Sequence, residues 1–252
     1  SVSALVQQRS KIRPKALEFL FHNFTDSCEI PRLFKGYRLL AVDGSDLQYT
    51  ADPNDPLSYF SGVNGQKHYS MLHLNALYDL NSHLYLDAFI QKRREANENA
   101  ALVHMTDHSR ITGPVILIAD RGYEAYNTLE HISRKGWKYL IRLRDSHSIL
   151  SGLALPEGNF DMDVRLQLTR KQTNEMKETV KNRDDYRFLR SCKTFDYLPV
   201  KNRKDIPVPP YVLSFRIVRF RISDNNYETV ITNLDTGSFP AAELKKLYHM
   251  RW

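Results

Sequence analysis

The chain has little cysteine: Cys28 and Cys192 are the only two among 252 residues. They stand far apart and form no Cys-x-x-Cys pattern, which excludes a disulfide-stapled scaffold and a cysteine-ligated zinc site and makes a reducing cytosolic setting the default. Long hydrophobic runs are also missing. No apolar stretch approaches the roughly 18 residues that a membrane-crossing helix needs, and Ser1-Val2-Ser3-Ala4-Leu5 lacks the layout of a signal peptide. The nine histidines show no metal-ligand spacing, so His68, His73 and His83 read as core or surface residues. No internal repeat or low-complexity tract is present, which sets aside solenoids and disordered tails.

The remaining composition can build a core. With 42% hydrophobic residues, the chain fits one large domain, or one domain carrying a sizeable insertion. Lys plus Arg number 36 against 29 for Asp plus Glu, a net charge of +7. That balance suits a polyanionic partner, although ordinary soluble proteins show it too. The first residue is Ser rather than Met, and Trp252 falls within a helix-like segment, so both ends read as cuts through a longer polypeptide.

Two acids stand out. Asp43 follows Arg38-Leu39-Leu40-Ala41-Val42, and Asp120 follows Val115-Ile116-Leu117-Ile118-Ala119; each ends an apolar strand-like run and is followed by glycine. In open sheets with helices on both faces, ligands bind beyond the carboxyl ends of the strands. A plain turn is the competing reading, since Asp-Gly and Asp-Arg-Gly are common loop chemistry. The same grammar occurring twice favours carboxylates brought together.

Patterning gives the organisation. Ala4-Leu5-Val6 and Ala16–Phe21 have helical spacing, with Pro14 placed to begin the second helix. The first strand follows Gly36, and a loop is expected from Asp46 to Lys67, where prolines and glycines cluster. His68–Leu80 and Leu84–Gln91 read as a hairpin around Asn81-Ser82-His83. A helix over Asn97–His108, a strand over Val115–Ala119, a helix over Glu124–Lys135 and a strand over Trp137–Leu143 complete the first part. Three antiparallel strands followed by helix-strand-helix-strand crossovers is the order of a ribonuclease H-like α/β fold, in which the first and fourth strands are neighbours.

Four domain segments are expected. Residues 1–36 form a helical lead-in, 37–144 the first part of the ribonuclease H-like core, 145–226 a β-rich basic insertion, and 227–252 a return to the core with the last helix. The insertion concentrates Arg165, Arg170, Lys171, Lys177, Lys181, Arg183, Arg187, Arg190, Lys193, Lys201, Arg203 and Lys204. Within it Tyr211–Ile222 alternates as a strand, and Tyr227–Leu234 reads as a further strand. A helix begins near Pro240, with Ser238 or Thr236 as its cap.

Val42-Asp43-Gly44-Ser45, Ala119-Asp120-Arg121-Gly122-Tyr123, Ile231-Thr232-Asn233-Leu234 and Tyr248-x-x-Arg251-Trp252 together resemble bacterial insertion-sequence transposases of the DDE class, in the branch with a Tyr-Arg-Glu-Lys helix signature. The resemblance covers about residues 37–252. It implies a ribonuclease H-like core that cuts DNA at element ends and joins the freed 3′ hydroxyls to target DNA. By it, Asp43 and Asp120 are catalytic and metal-binding, while Tyr248 and Arg251 open the signature. The third acid, a Glu four residues after Arg251, and the Lys that follows would lie beyond Trp252, so by the resemblance this fragment lacks the third catalytic carboxylate.

The resemblance further implies two Mg²⁺ or Mn²⁺ ions in the intact parent, double-stranded DNA as transposon ends and target, a homodimer on that DNA, no membrane partner, and a cytoplasmic, nucleoid-associated location. Hard cations take oxygen ligands, which is why carboxylates are used rather than His or Cys. Arg121 and Tyr123 are expected to steady a flanking phosphate or to close the strand-to-helix turn, and Tyr248 and Arg251 to bind DNA, Arg251 by gripping a transposon-end phosphate. Asp46 reads as a loop or capping acid, Asp52 and Asp55 as solvated turn residues, and Asn97 and Glu98 as DNA-approaching or, for Asn97, helix-capping. Two other readings stay open: a structure-selective nuclease on the same fold, and a truncated or co-opted DNA-binding protein without catalysis.

Overall fold

In the computed structural model, alternate residues of the central strands feed two separate cores. The structure describes residues 2–28, 33–144, 148–199, 208–224 and 226–251. Ser1, Asp145, Lys201, Arg203, Lys204 and Trp252 of the sequence reading therefore lie outside it.

Helices α1 (Val2–Gln8) and α2 (Pro14–Ser27) lead in, and Leu17, Phe19, Leu20 and Phe24 of α2 remain exposed. Strand β1 (Arg38–Thr50) follows, then β2 (Tyr59–Phe60), β3 (Tyr69–Asp79) and β4 (Leu84–Lys92). Next come α3 (Glu98–His108), β5 (Val115–Ala119), α4 (Tyr126–Arg134) and β6 (Lys138–Arg142). The chain continues through β7 (Phe160–Thr169), α5 (Asn174–Asn182), β8 (Tyr186–Phe188), β9 (Tyr211–Ser223), β10 (Asn226–Thr232) and α6 (Ala241–His249).

The strands form one ten-stranded mixed sheet in the order β2-β3-β1-β5-β6-β10-β9-β7-β8, with β4 also paired to β3. Strand β1 is antiparallel to β3 and parallel to β5, and β5 is parallel to β6. This is the expected mixed sheet with flanking helices, first and fourth core strands side by side. The segment between β6 and β10 adds β7, β8 and β9 to the same sheet.

Period-two alternation sorts the side chains. Leu40, Val42, Leu117, Ala119 and Ile141 pack on one face with Leu102 and Met105 of α3 and Leu129 and Ile132 of α4. Leu39, Ile116, Ile118 and Leu140 pack on the other with Leu244, Leu247 and Tyr248 of α6. All five β5 side chains are buried, as a parallel strand covered on both faces requires. Each such burial stabilises by about 1.5–3 kcal/mol, so a one-residue slip that exchanged the faces would be costly.

Two boundaries differ from expectation. The loop placed at Asp46–Lys67 begins later, because β3 supplies ladder partners to β1 as far as Thr50↔Tyr69, and Tyr59–Phe60 pairs with β3 as well. Helix α4 starts at Tyr126 rather than Glu124. The Glu124 carboxylate instead accepts the Arg144 and Ile149 amides and the Ser148 hydroxyl, tying the turn after β5 to the segment after β6.

Candidate active site

The last parallel pair between β1 and β5 is Ala41↔Ile118. Asp43 and Asp120 each lie two residues further on, at equal height and on the same side as Ala41 and Ile118, the face that α6 covers. Asp43 does not end its strand, as the sequence suggested: β1 continues because Asp43 pairs with Ala76 of β3. Asp120 does end β5 and leads into a tight helical turn over Arg121–Tyr123.

The end of α6 reaches both acids. Tyr248 donates its hydroxyl to Asp120 Oδ1 at 3.4 Å. One turn on, Arg251 Nη2 lies 3.2 Å from Asp43 Oδ1 and 3.4 Å from the Val42 carbonyl. The Arg251 side chain is 4% exposed and that of Asp43 72%, so an almost buried guanidinium backs a carboxylate that faces solvent. Burial, then the charge of Asp120, raises the Tyr248 phenol above its ordinary pKa, so it stays protonated as a donor.

Of the four residues expected to meet DNA, only Arg121 is exposed. Tyr123 is 1% exposed, and its hydroxyl faces Asn75 Oδ1 at 3.5 Å. Burial first, then the charges of Glu98 and Asp43, pushes its pKa upward. Tyr123 is thus packed inside the strand-to-helix turn with its hydroxyl against Asn75. Tyr248 is equally buried, and Arg251 is engaged with Asp43.

A second polar layer lies on the α3 face, reached from Gly44 and Asp46 rather than Asp43. Asp46 is a mid-strand residue opposite His73, not a loop or capping acid. Its carboxylate meets His73 Nδ1 at 2.7 Å and accepts from Arg93 Nε at 2.9 Å. Burial opposes its charge, but the bonds from His73 and Arg93 prevail and hold it below the usual carboxylate range. His73 Nε2 lies 3.4 Å from Glu98 Oε1. Asn97 caps α3 by accepting from the Ala100 amide at 3.0 Å, the capping alternative of the sequence reading. Asp52 accepts from the Asn54 amide in its turn, whereas Asp55 pairs with Lys92 at 2.8 Å. The His73–Glu98 contact was missed; the signal for it was a glycine one residue after Asp43 and two after Asp120, where space rather than a turn is required.

Among the described residues, no group of three or more His, Cys, Asp or Glu is placed to hold a metal ion by itself, and no helix is long and apolar enough to cross a membrane. Asp43 and Asp120 offer hard oxygen donors on one face. That set suits magnesium, which commonly takes one or two carboxylates and fills its remaining positions with water and substrate phosphate.

No curated protein matches the chain. Among solved structures it is similar to the piggyBac transposase in a synaptic complex with hairpin DNA, at 9% identity and a TM-score of 0.43, over 86% of this chain and 38% of that one. The present chain thus spans well under two thirds of that protein's length. The family model of the transposase DDE domain matches residues 34–252, nearly the entire sequence and all of the sheet that carries Asp43 and Asp120. The chain belongs to the DDE-domain transposases.

Proposed function

We propose that this chain is the catalytic core of a DNA transposase whose intact parent cleaves phosphodiester bonds at element ends and transfers the freed 3′ hydroxyls into target DNA. The observation that carries the reading is the placement of Asp43 and Asp120 at equal height on neighbouring strands, with both carboxylates touched by one helix end. In this reading Asp43 and Asp120 hold Mg²⁺ or Mn²⁺. Such ions, when bound, neutralise charge at the phosphorus and activate the attacking oxygen. Tyr248 orients the Asp120 carboxylate through its hydroxyl, and Arg251 fixes Asp43 while adding positive charge beside the phosphate path.

Double-stranded DNA is the partner in this reading. Arg121 and the exposed Arg165, Lys171, Lys177, Lys181, Arg190 and Lys193 supply the cationic track, and binding weakens as salt rises. Not all the basic residues between 145 and 226 serve it. Arg170 donates to the carbonyls of Leu198, Arg190 and Lys193, and Arg183 pairs with Asp185. A bacterial insertion-sequence origin, a third carboxylate from the Tyr-Arg-Glu-Lys helix and a homodimer on paired ends complete the proposal.

The test is end cleavage by the full-length protein with Mg²⁺. Asp43→Asn and Asp120→Asn should each lower cleavage about a thousandfold or more, since metal activation contributes several kcal/mol. Gel-shift affinity for element-end DNA should change little. An Asp43→Asn protein that still cuts element ends overturns the assignment.

A further inference from the structure

Glycine follows both aspartates, at positions 44 and 122. Neither Gly44 nor Gly122 has a positive φ, so neither is required by backbone conformation. Space is the reason. A Cβ on Gly44 would lie 2.7 Å from His73 Nε2 and 2.8 Å from Glu98 Oε1, and a Cβ on Gly122 would lie 2.7 Å from Glu98 Oε2. One carboxylate, from the first residue of α3, therefore fills both gaps: one oxygen faces the segment that carries Asp43 and the other faces the segment that carries Asp120.

This carboxylate is itself held. His73, 6% exposed, lies between Asp46 and Glu98: its Nδ1 meets Asp46 Oδ1 at 2.7 Å, while its Nε2 stands 3.4 Å from Glu98 Oε1 without a hydrogen bond, and Asp46 is a neighbour of Gly44 on the same strand face. Asn99, next to Glu98, donates to the Gly122 carbonyl at 3.0 Å and accepts from the Thr128 hydroxyl at 2.8 Å. Asn97, on the other side, fixes the start of the helix through its cap and donates its amide to Gln91 at 3.1 Å. The first turn of α3 is thus bound to β4, α4 and the turn after β5, and it lies against His73 of β3.

We infer that Glu98 is a positioning residue for the Asp43–Asp120 pair, acting through Gly44 and Gly122 from the opposite side of the sheet. Asp43 and Asp120 share the α6 face, whereas Gly44, Asp46 and His73 lie on the α3 face, so Glu98 sets the separation of the two acid-bearing segments without joining their ligand set. The inference rests on the proposed metal-dependent cleavage. The property it assigns is the size and shape of the Glu98 side chain against the two glycines, not its charge.

The test uses the full-length protein, with Asp43→Asn as the reference for the underlying reading. Glu98→Ala should lower both Mn²⁺ affinity, followed by the electron-spin resonance of free Mn²⁺, and the cleavage rate by about 10- to 100-fold, the usual cost of losing a residue that supports metal ligands. Affinity for element-end DNA should be unchanged. Glu98→Gln, which keeps the size and shape of the side chain, should stay within about threefold of wild type in both measurements. Gly122→Ala should match the Glu98→Ala defect, and the double variant should be less impaired than the two effects combined, because removing the carboxylate makes room for the new methyl group.

Three results overturn the inference: Glu98→Ala within twofold of wild type, Glu98→Gln as damaged as Glu98→Ala, or Gly122→Ala and Glu98→Ala defects that simply add. If Asp43→Asn cleaves normally, the catalytic reading fails instead, and the Mn²⁺ and double-variant data show which idea has failed.

Discussion

Two arginines in this molecule lie against aspartates in opposite ways. Arg216 on β9, its side chain 2% exposed, donates Nε and Nη2 to both oxygens of Asp161 at 2.6 and 2.5 Å. Its Nη1 donates to the carbonyls of Phe239 at 2.8 Å and Leu234 at 3.3 Å. That forked geometry is strong and directional, and it ties β7 and β9 to the entry of α6. Arg251 is nearly as buried, yet its contacts to Asp43 and Val42 are long, at 3.2 and 3.4 Å. A pair that serves stability commits both partners, whereas the pair at the proposed reaction site leaves the carboxylate open to solvent.

Stability separates the two pairs most strongly. Arg216→Ala leaves the contacts of Asp161 and two carbonyls unmade and should cost about 3–5 kcal/mol of unfolding free energy, the range for breaking a buried pair. Urea denaturation followed by circular dichroism measures it, and a loss under about 1 kcal/mol would remove the distinction. Arg251→Ala should cost about 1 kcal/mol in the same measurement, because the Asp43 side chain it leaves behind is already solvated. A cost equal to that of Arg216→Ala would put both pairs in one class.

Asp43→Asn should change stability by no more than about 0.5 kcal/mol, as is usual for exposed positions, while abolishing cleavage in the full-length protein. A large stability loss there would mark Asp43 as structural. The smallest effect concerns acid. A hydrogen bond from Asn127 holds Asp196 below its ordinary value of 3.8, against some burial and with further help from His131. Its pKa is depressed in the folded state, so its contribution is present above 3.8 and lost as pH falls through the lower folded value. The stability difference between wild type and Asp196→Asn should therefore shrink on going from about pH 5 to about pH 2, read by denaturation at each pH.

Much of the sheet was legible because apolar periodicity and glycine punctuation are local signals. Val115–Ala119, the hairpin around Asn81-Ser82-His83, and the neighbouring placement of the strands that carry Asp43 and Asp120 all followed from them. The continuation of β1 through Asp46 to Thr50 was not legible, since its polar residues are held by a ladder to β3, and pairing partners are invisible to a local pattern. Nothing local in the sequence marked Tyr123 and Tyr248 as buried, with their hydroxyls against Asn75 and Asp120. The His73–Glu98 contact joins residues on separate elements, and only the two glycines hinted at it.

The unequal lengths of the two ladders give the aspartates different mechanical supports. Asp43 rides on a ribbon anchored along one edge well past its own position, while Asp120 sits where its strand stops and a short turn takes over. In the proposed function Asp43 is therefore the jaw of a vice fixed by backbone pairing, while the other jaw, Asp120, keeps its place through the side chains that hold its turn.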